Sequence, residues 1–126
     1  MILVDTSSWI HLLRPDGDAV VRARVEHALR DGAACWCPIV RLELCNGASG
    51  DRDQKVLRDF ERVLPELAID EAVWDEACSI ARRARAKGVT VPATDILVFA
   101  CANRHGAALE TSDSDFDLLL KIGRHT

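Results

Sequence analysis

The hydrophobic residues of this chain form short aliphatic runs separated by longer segments in which they recur every three or four residues. The short runs are typical of buried strands and the longer segments of amphipathic helices. The predicted strands are residues 2–5, 33–37, 67–69 and 107–110, and a last strand, if one follows, would lie near Ile122. The predicted helices are residues 6–13, 18–30, 38–46, 51–64, 70–87, 94–105 and 115–120.

Strands and helices alternate along the whole chain, which predicts an α/β fold. Because short aliphatic strands joined by helices usually pair in parallel, we expect a short central parallel sheet between two layers of helices, a three-layer α/β/α arrangement. The connections between its strands should be right-handed. With 126 residues and no internal repeat or linker-like segment, residues 1–126 are expected to form a single domain.

The composition narrows the class of protein. Hydrophobic residues make up 48% of the chain, but no apolar run reaches the roughly 20 residues of a membrane span. The N-terminus also lacks the features of a signal peptide, so we expect a cytoplasmic protein with no membrane partner. The five cysteines include no C-x-x-C pair, which argues against a disulfide framework or a zinc site. A net charge of −4 offers no general attraction for nucleic acid, which would have to be met by a local basic patch or by metal ions on acidic side chains.

Five carboxylates occupy positions that distinguish them from ordinary surface acids. Asp5 ends the first predicted strand, and Asp113 and Asp115 follow the fourth. The carboxyl ends of parallel strands share one edge of a sheet, where ligands bind. Glu43 lies between two leucines and Asp95 precedes the apolar segment I-L-V-F, so both are expected in apolar surroundings. Because an isolated buried carboxylate is costly, each of them needs a partner.

Taken singly, these acids have simpler explanations. Asp5 could cap the following helix, Asp95 could favour the positive end of its helix dipole, and Asp113 could make a turn. Taken together, four or five carboxylates at one sheet edge would repel one another, and a divalent cation would relieve that repulsion. An all-oxygen ligand set favours Mg²⁺ or Mn²⁺ and suits a hydrolytic nuclease. Four residues near these acids carry hydroxyl groups: Thr6, Ser7, Thr111 and Ser112. Their hydroxyls could orient ligands, contact phosphate or make turn and cap hydrogen bonds. For Ser7 the turn or cap role is favoured.

The candidate acids lie in four segments, V-D-T-S-S-W-I at 4–10, P-I-V-R-L-E-L-C-N-G at 38–47, V-P-A-T-D-I-L-V-F-A at 91–100 and L-E-T-S-D-S-D-F at 109–116. In this order and at these separations they resemble the PIN-domain family, and most closely its VapC-type toxins of bacterial toxin–antitoxin pairs. The resemblance runs from Met1 to about Phe116 and implies a PIN-like fold, a parallel sheet between helices.

The resemblance also implies an activity and partners. Proteins of this type are Mg²⁺- or Mn²⁺-dependent endoribonucleases, hydrolases that cut particular RNAs, often transfer RNA, and so stop translation. They form dimers, and a cognate antitoxin binds and blocks the active site. A homodimer, an RNA substrate and an antitoxin protein are therefore expected for this chain.

By resemblance, the catalytic residues are Asp5, Glu43, Asp95 and Asp113. Asp5 and Asp95 resemble direct metal ligands, and Asp113 would assist directly or through water. Glu43 would orient or deprotonate the attacking water. Three further residues are assigned supporting roles: Asp115, Thr6 and Ser112.

Two arginines are candidates for contacts with RNA. Arg41, close to the second motif's glutamate, could contact RNA or pair with an acid, and Arg14 could face the same site. The cations at 82–87 are instead expected to form a solvated face near a helix C-terminus. Trp9, on the short first helix, is a candidate for a partner contact, whereas Trp36 is expected to pack in the core.

Two other functions are weighed against the nuclease. A PIN-like module that binds RNA or protein without cutting would be favoured by a missing acid, and none is missing. A phosphatase of the aspartyl-phosphate type requires a second Asp two residues after the first, where this chain has Ser7. No GxxxxGK phosphate-binding loop occurs in the sequence.

Overall fold

A small parallel sheet forms the centre of the molecule. The computed structural model describes residues 1–123. Within them, strand β1 (Ile2–Val4) pairs in parallel with β2 (Ala34–Cys35) on one side and with β3 (Ala108–Glu110) on the other. β1 is the middle strand, and its residues Leu3 and Val4 are fully buried. The first aliphatic run is thus the core of the sheet, as its composition predicts.

Helices account for most of the rest of the described chain. They are α1 (Thr6–Leu13), α2 (Ala19–Arg30), α3 (Pro38–Gly47), α4 (Gly50–Val63), α5 (Glu71–Ala86), α6 (Ala93–His105) and α7 (Asp115–Gly123). Helix α1 packs on α2 and α3, and α5, α6 and α7 pack on one another. The α/β class and the helices predicted from periodicity are confirmed. No helix within residues 1–123 combines the length and the apolar character needed to cross a bilayer.

Local chemistry explains where several helices begin and end. The Asp18 carboxylate accepts two backbone N–H groups at the start of α2, and Asp70 accepts one at the start of α5. Pro38 occupies the first turn of α3, where its missing N–H costs nothing. Gly106 ends α6 in the left-handed conformation, with φ of 65°, which a glycine adopts without strain. These signals are local in sequence, which is why the helices could be predicted closely.

The predicted strand at residues 67–69 is wrong. The chain there makes only an isolated parallel bridge between Trp36 and Glu66. The Trp36 N–H donates to the Pro65 carbonyl at 3.2 Å, and the Leu67 N–H donates to the Trp36 carbonyl at 2.8 Å. The next bond of a parallel ladder over 67–69 would need an N–H from residue 38, but Pro38 has none and begins α3, so the pairing stops there. The remaining three predicted strands are present in shortened form.

A last strand near Ile122 is also wrong, because Ile122 lies in α7. Phe116, Leu119 and Ile122 are all buried and recur every three residues along the helix. This spacing places them on one side of a helix, whereas a strand would alternate its faces every second residue.

An aromatic cluster joins α1 to α4 and to the segment after β2. The ring of Trp9 lies 5.1 Å from that of Phe60 and 6.5 Å from that of Trp36, centroid to centroid. Trp36 is buried, as expected, and Trp9 is fully buried as well. The expectation that Trp9 contacts a partner is therefore wrong. The helical face on which it lies turns towards the core because it is packed against α4.

Candidate active site

Asp5 stands where β1 emerges at the edge of the sheet. It is only 4% exposed, and it is also the N-cap of α1. Its Oδ2 accepts hydrogen bonds from the Ser7 hydroxyl at 2.7 Å, the Ser7 backbone N–H at 3.4 Å and the Thr111 hydroxyl at 3.2 Å. Asp5 therefore caps a helix and at the same time contributes a carboxylate to the sheet edge.

Glu43 reaches the same edge from helix α3. The Thr6 hydroxyl, in the first turn of α1, donates to its Oε1 at 2.8 Å. Thr6 and Glu43 are both partly exposed. Two adjacent residues, Asp5 and Thr6, thus connect the end of β1 with the acid on α3.

The loop between β3 and α7 brings the next acids into place. The Asp113 backbone N–H donates to the Thr111 hydroxyl at 3.0 Å, and the Asp115 N–H donates to Asp113 Oδ1 at 2.9 Å. The Ser112 N–H donates to the Ser7 hydroxyl at 3.1 Å. The loop is therefore fixed to the start of α1 at two points, since Thr111 also donates to Asp5.

The tightest group of carboxylates is Asp95, Asp113 and Asp115. One oxygen of each lies within 4.8 Å of the others. Asp95 is in the first turn of α6, and its Oδ2 is buried without a hydrogen-bond partner among the described residues. A buried carboxylate oxygen without a donor is costly, so its surroundings favour a ligand or a proton.

The pKa of Asp95 reflects the other four acids of the site. Burial and the neighbouring carboxylates raise its pKa from 3.8 to about 7. Desolvation is the largest cause, followed by the charges of Asp113, Asp5, Asp115 and Glu43. The other four acids singled out in the sequence therefore all act on Asp95 in the folded protein.

This arrangement fits a hard divalent cation. Carboxylate oxygens are the ligands that Mg²⁺ and Mn²⁺ prefer, and Asp95 Oδ2, which no group within residues 1–123 hydrogen-bonds, is available to such an ion. The tight group contains Asp115, which was assigned a supporting role, and does not contain Asp5. Oδ2 of Asp5 accepts from two hydroxyls, and Asp115 lies in the first turn of α7.

The two arginines predicted to contact RNA occupy different surroundings: one is paired with acids outside the site, and the other lines a cavity beside Glu43. Arg41 pairs with Glu66, at 2.7 Å from its Nε, and with Glu61 at 3.4 Å. Arg41 was predicted either to contact RNA or to pair with an acid. The structure shows it paired with acids, and neither of them belongs to the five carboxylates of the site. Arg14 ends α1 and lines an open cavity that also contains Glu43.

The Ser7 hydroxyl makes the turn and cap bonds favoured for it in the sequence: it donates to Asp5, lies 3.2 Å from the Thr111 hydroxyl and accepts the Ser112 N–H. Glu110 received no assignment. Its signal was present in the sequence, since β3 ends on a carboxylate just as β1 is followed by one.

Comparison with known proteins identifies the family. The sequence model of the PIN domain matches residues 2–120 of this chain. This protein therefore belongs to the PIN-domain family, as its motifs and its fold predict.

Within that family, the proteins found to be similar in sequence or in structure include VapC proteins. Ribonuclease VapC11 of Mycobacterium tuberculosis is 36% identical over 126 residues, which cover 97% of this chain and 93% of the relative. The DNA-bound VapBC of Salmonella typhimurium has the same fold, with a TM-score of 0.77 at 22% identity over 92% of this chain and 89% of that one. Mycobacterium tuberculosis VapC20, a sarcin–ricin loop cleaving toxin, gives a TM-score of 0.71 at 21% identity over 94% of each chain.

Proposed function

We propose that this protein is a metal-dependent endoribonuclease and the toxin of a VapBC-type toxin–antitoxin pair. The observation that carries the proposal is Asp95, whose pKa is raised to about 7 by burial and by four neighbouring carboxylates, and whose Oδ2 is buried without a hydrogen-bond partner among residues 1–123. Carboxylates forced together in this way are typical of a site that holds a divalent cation for phosphoryl chemistry. The 36% identity to a ribonuclease supports RNA as the substrate.

The metal ligands are proposed to be Asp5, Asp95 and Asp113, with Asp115 added because it belongs to the tight group. A bound Mg²⁺ or Mn²⁺ ion would lower the pKa of a water molecule and offset charge on the phosphate. The contribution of the chain is to hold these carboxylates in place. Two side-chain hydroxyls, those of Ser7 and Thr111, hold Oδ2 of Asp5 in place.

Glu43 is proposed to orient the attacking water and accept its proton. Thr6 donates to one of its two carboxylate oxygens, so the side chain has a defined orientation. Glu43 is partly exposed, which allows water to reach it. A carboxylate held within reach of a water in this way can serve as a general base.

Transfer RNA is the proposed RNA class, and the cytoplasm is then where the protein would act. The VapC20 relative is described as cleaving the sarcin–ricin loop, so ribosomal RNA is the natural comparison. Incubation of the protein with each purified RNA class, followed by mapping of the new 5′ ends, would decide between them. Several of the similar structures are VapBC complexes, which supports an antitoxin protein as the inhibitory partner.

A homodimer is the other proposed assembly. Trp74 is 52% exposed and, with Ile39 of α3 and Leu97 of α6, lines an open apolar cavity of about 340 Å³. An exposed apolar surface of this kind typically marks a protein–protein interface. A second copy of the chain would bury it.

The nuclease is tested with purified wild type, Asp5→Asn and Asp95→Asn on total RNA, each with Mg²⁺ and with a chelator. We expect cleavage by the wild type with Mg²⁺ only, and a loss of at least about 100-fold in both variants, because each change removes a negative charge from the site. Asp59→Asn is the matched control, since Asp59 pairs with Lys55 and Arg62 on α4. Cleavage that survives both substitutions or the chelator would contradict the proposal, and RNA binding without cleavage would favour a non-cleaving module.

A further inference from the structure

We propose that Glu110, held by Arg24, is a positioning residue for the carboxylates of the active-site loop. The inference rests on the proposed function, because its effect is on metal binding by that site. It assigns a role to an ion pair between α2 and the end of β3 that lies outside the five acids described above.

Glu110 has an unusually complete set of contacts for a carboxylate at a sheet edge. Its Oε1 accepts from Arg24 Nε at 2.7 Å, and its Oε2 accepts from the Ser8 hydroxyl at 2.8 Å and from Arg24 Nη2 at 3.4 Å. Ser8 is fully buried, and the Glu110 side chain is only 13% exposed. A buried hydroxyl and a guanidinium together fix the orientation of this side chain.

These contacts fix the residue from which the active-site loop starts. The Glu110 carbonyl accepts the Asp5 N–H at 2.8 Å, so its backbone is bonded to the site as well. The next residue, Thr111, donates to Asp5 and accepts the Asp113 N–H. Movement of Glu110 would therefore displace the hydroxyl that joins Asp5 to Asp113.

Arg24 is required for a second reason, which is charge. Glu110 lies at the same sheet edge as Asp5, where four carboxylates already disfavour the negative charge of Asp95. Arg24 neutralises Glu110 through two nitrogens, and the pair raises the pKa of Arg24. Without Arg24, Glu110 would add a further negative charge beside the loop and would be free to leave Ser8.

Glu110 does not act as a ligand itself. Both of its carboxylate oxygens are engaged by donors, and it is not part of the tight group formed by Asp95, Asp113 and Asp115. Its effect should therefore be on how well the loop acids are placed. Partners of this kind typically change metal affinity by 10- to 100-fold.

The test measures Mn²⁺ binding by calorimetry, without RNA, for wild type, Glu110→Ala, Glu110→Gln and Arg24→Gln. We expect the Kd to rise roughly tenfold for Glu110→Ala and less for Glu110→Gln, whose amide oxygen can still accept from Ser8. RNA cleavage by these variants should recover as Mn²⁺ is raised. Asp59→Ala, which removes an acid with two cationic partners on α4, should leave the Kd unchanged.

Thermal melting separates a positioning role from a purely structural one. Wild-type Mn²⁺ affinity in Glu110→Ala and Arg24→Gln would overturn the inference and leave the proposed function intact, and a lowered Tm alongside it would show a purely structural role. If Glu110→Ala does not fold, Glu110→Gln and Arg24→Gln decide the question by the same Kd. A wild-type protein that binds no Mn²⁺ would overturn the proposed metal dependence and the inference with it.

Discussion

Asp95 is the residue whose protonation most clearly reflects its surroundings. In the folded protein its pKa is about 7, against an ordinary value of 3.8, because burial and four carboxylates disfavour its charge. Between these values the folded chain holds a proton that the unfolded chain has released. The stability contributed by this group is therefore present at low pH and is lost as the pH rises through about 7.

We predict that Asp95→Asn stabilises the metal-free protein at pH 8, because it removes one charge from a mutually repelling group. Without divalent ions, the Tm of the variant should exceed that of the wild type by about 4 °C for each kcal/mol of repulsion relieved. At pH 5 the difference should shrink, since Asp95 is then protonated. Scanning calorimetry in chelator measures this, with the exposed Asp75→Asn as control. A lower Tm for Asp95→Asn at pH 8 would contradict the prediction.

Thr6 makes a single bond whose value can be isolated. Thr6→Val keeps the size and branching of the side chain but removes the hydroxyl that donates to Glu43 at 2.8 Å. We expect kcat for RNA cleavage to fall about tenfold, in line with the loss of one hydrogen bond to a charged group. Thr6→Ser, which keeps the hydroxyl, should stay near wild type. Equal loss of activity in the two variants would show that the hydrogen bond is not what matters.

At the scale of the element, α5 shows how one side chain can set the start of a helix. Asp70 Oδ1 accepts the Val73 N–H at 3.0 Å, which satisfies one of the N–H groups that have no partner within the helix. We expect Asp70→Ala to lower the free energy of unfolding by about 1 kcal/mol, measured by urea denaturation. Asp75→Ala, an exposed position on the same helix, should cost much less. Equal losses in the two variants would argue against the cap.

Helices were predictable at this scale and short strands were less so. Helix periodicity, caps such as Asp70 and the stop at Gly106 are recorded within a few neighbouring residues. A two- or three-residue strand has no comparable pattern and depends on the chain it pairs with. The apolar segment at 67–69 resembles a strand, but its partner segment continues into Pro38, which has no N–H to extend the bridge at Trp36.

At the scale of the whole molecule, the apolar surface around Trp74 predicts self-association. Trp74→Glu places a charge on a residue that is 52% exposed, so the fold should survive while a dimer through this surface should not form. We expect the mass measured by light scattering to fall from dimer to monomer. Val63→Glu, at a 72% exposed position on α4, is the matched control and should leave the dimer intact. A Trp74→Glu variant that remains dimeric would locate the interface elsewhere.

The α/β class and the gathering of acids at one edge of the sheet could be predicted from the sequence alone. These follow from local periodicity and from a rule of parallel sheets, that strand carboxyl ends meet. Asp5, Glu43, Asp95, Asp113 and Asp115 could all be named from the polarity of their neighbours and from motif resemblance. The sequence therefore predicts which residues form the site, but it does not predict the distances between them.

Only the folded structure shows which side chains within that edge are closest and what the others contact. It grouped Asp115 with Asp95, directed Arg41 to Glu66 and buried Trp9. It also joined Glu110 to Arg24, an interaction that the sequence pattern did not indicate. Each of these contacts depends on the register and packing of segments far apart in the chain. Periodicity specifies which face of a segment is apolar, but only the folded chain specifies what that face and its polar neighbours meet.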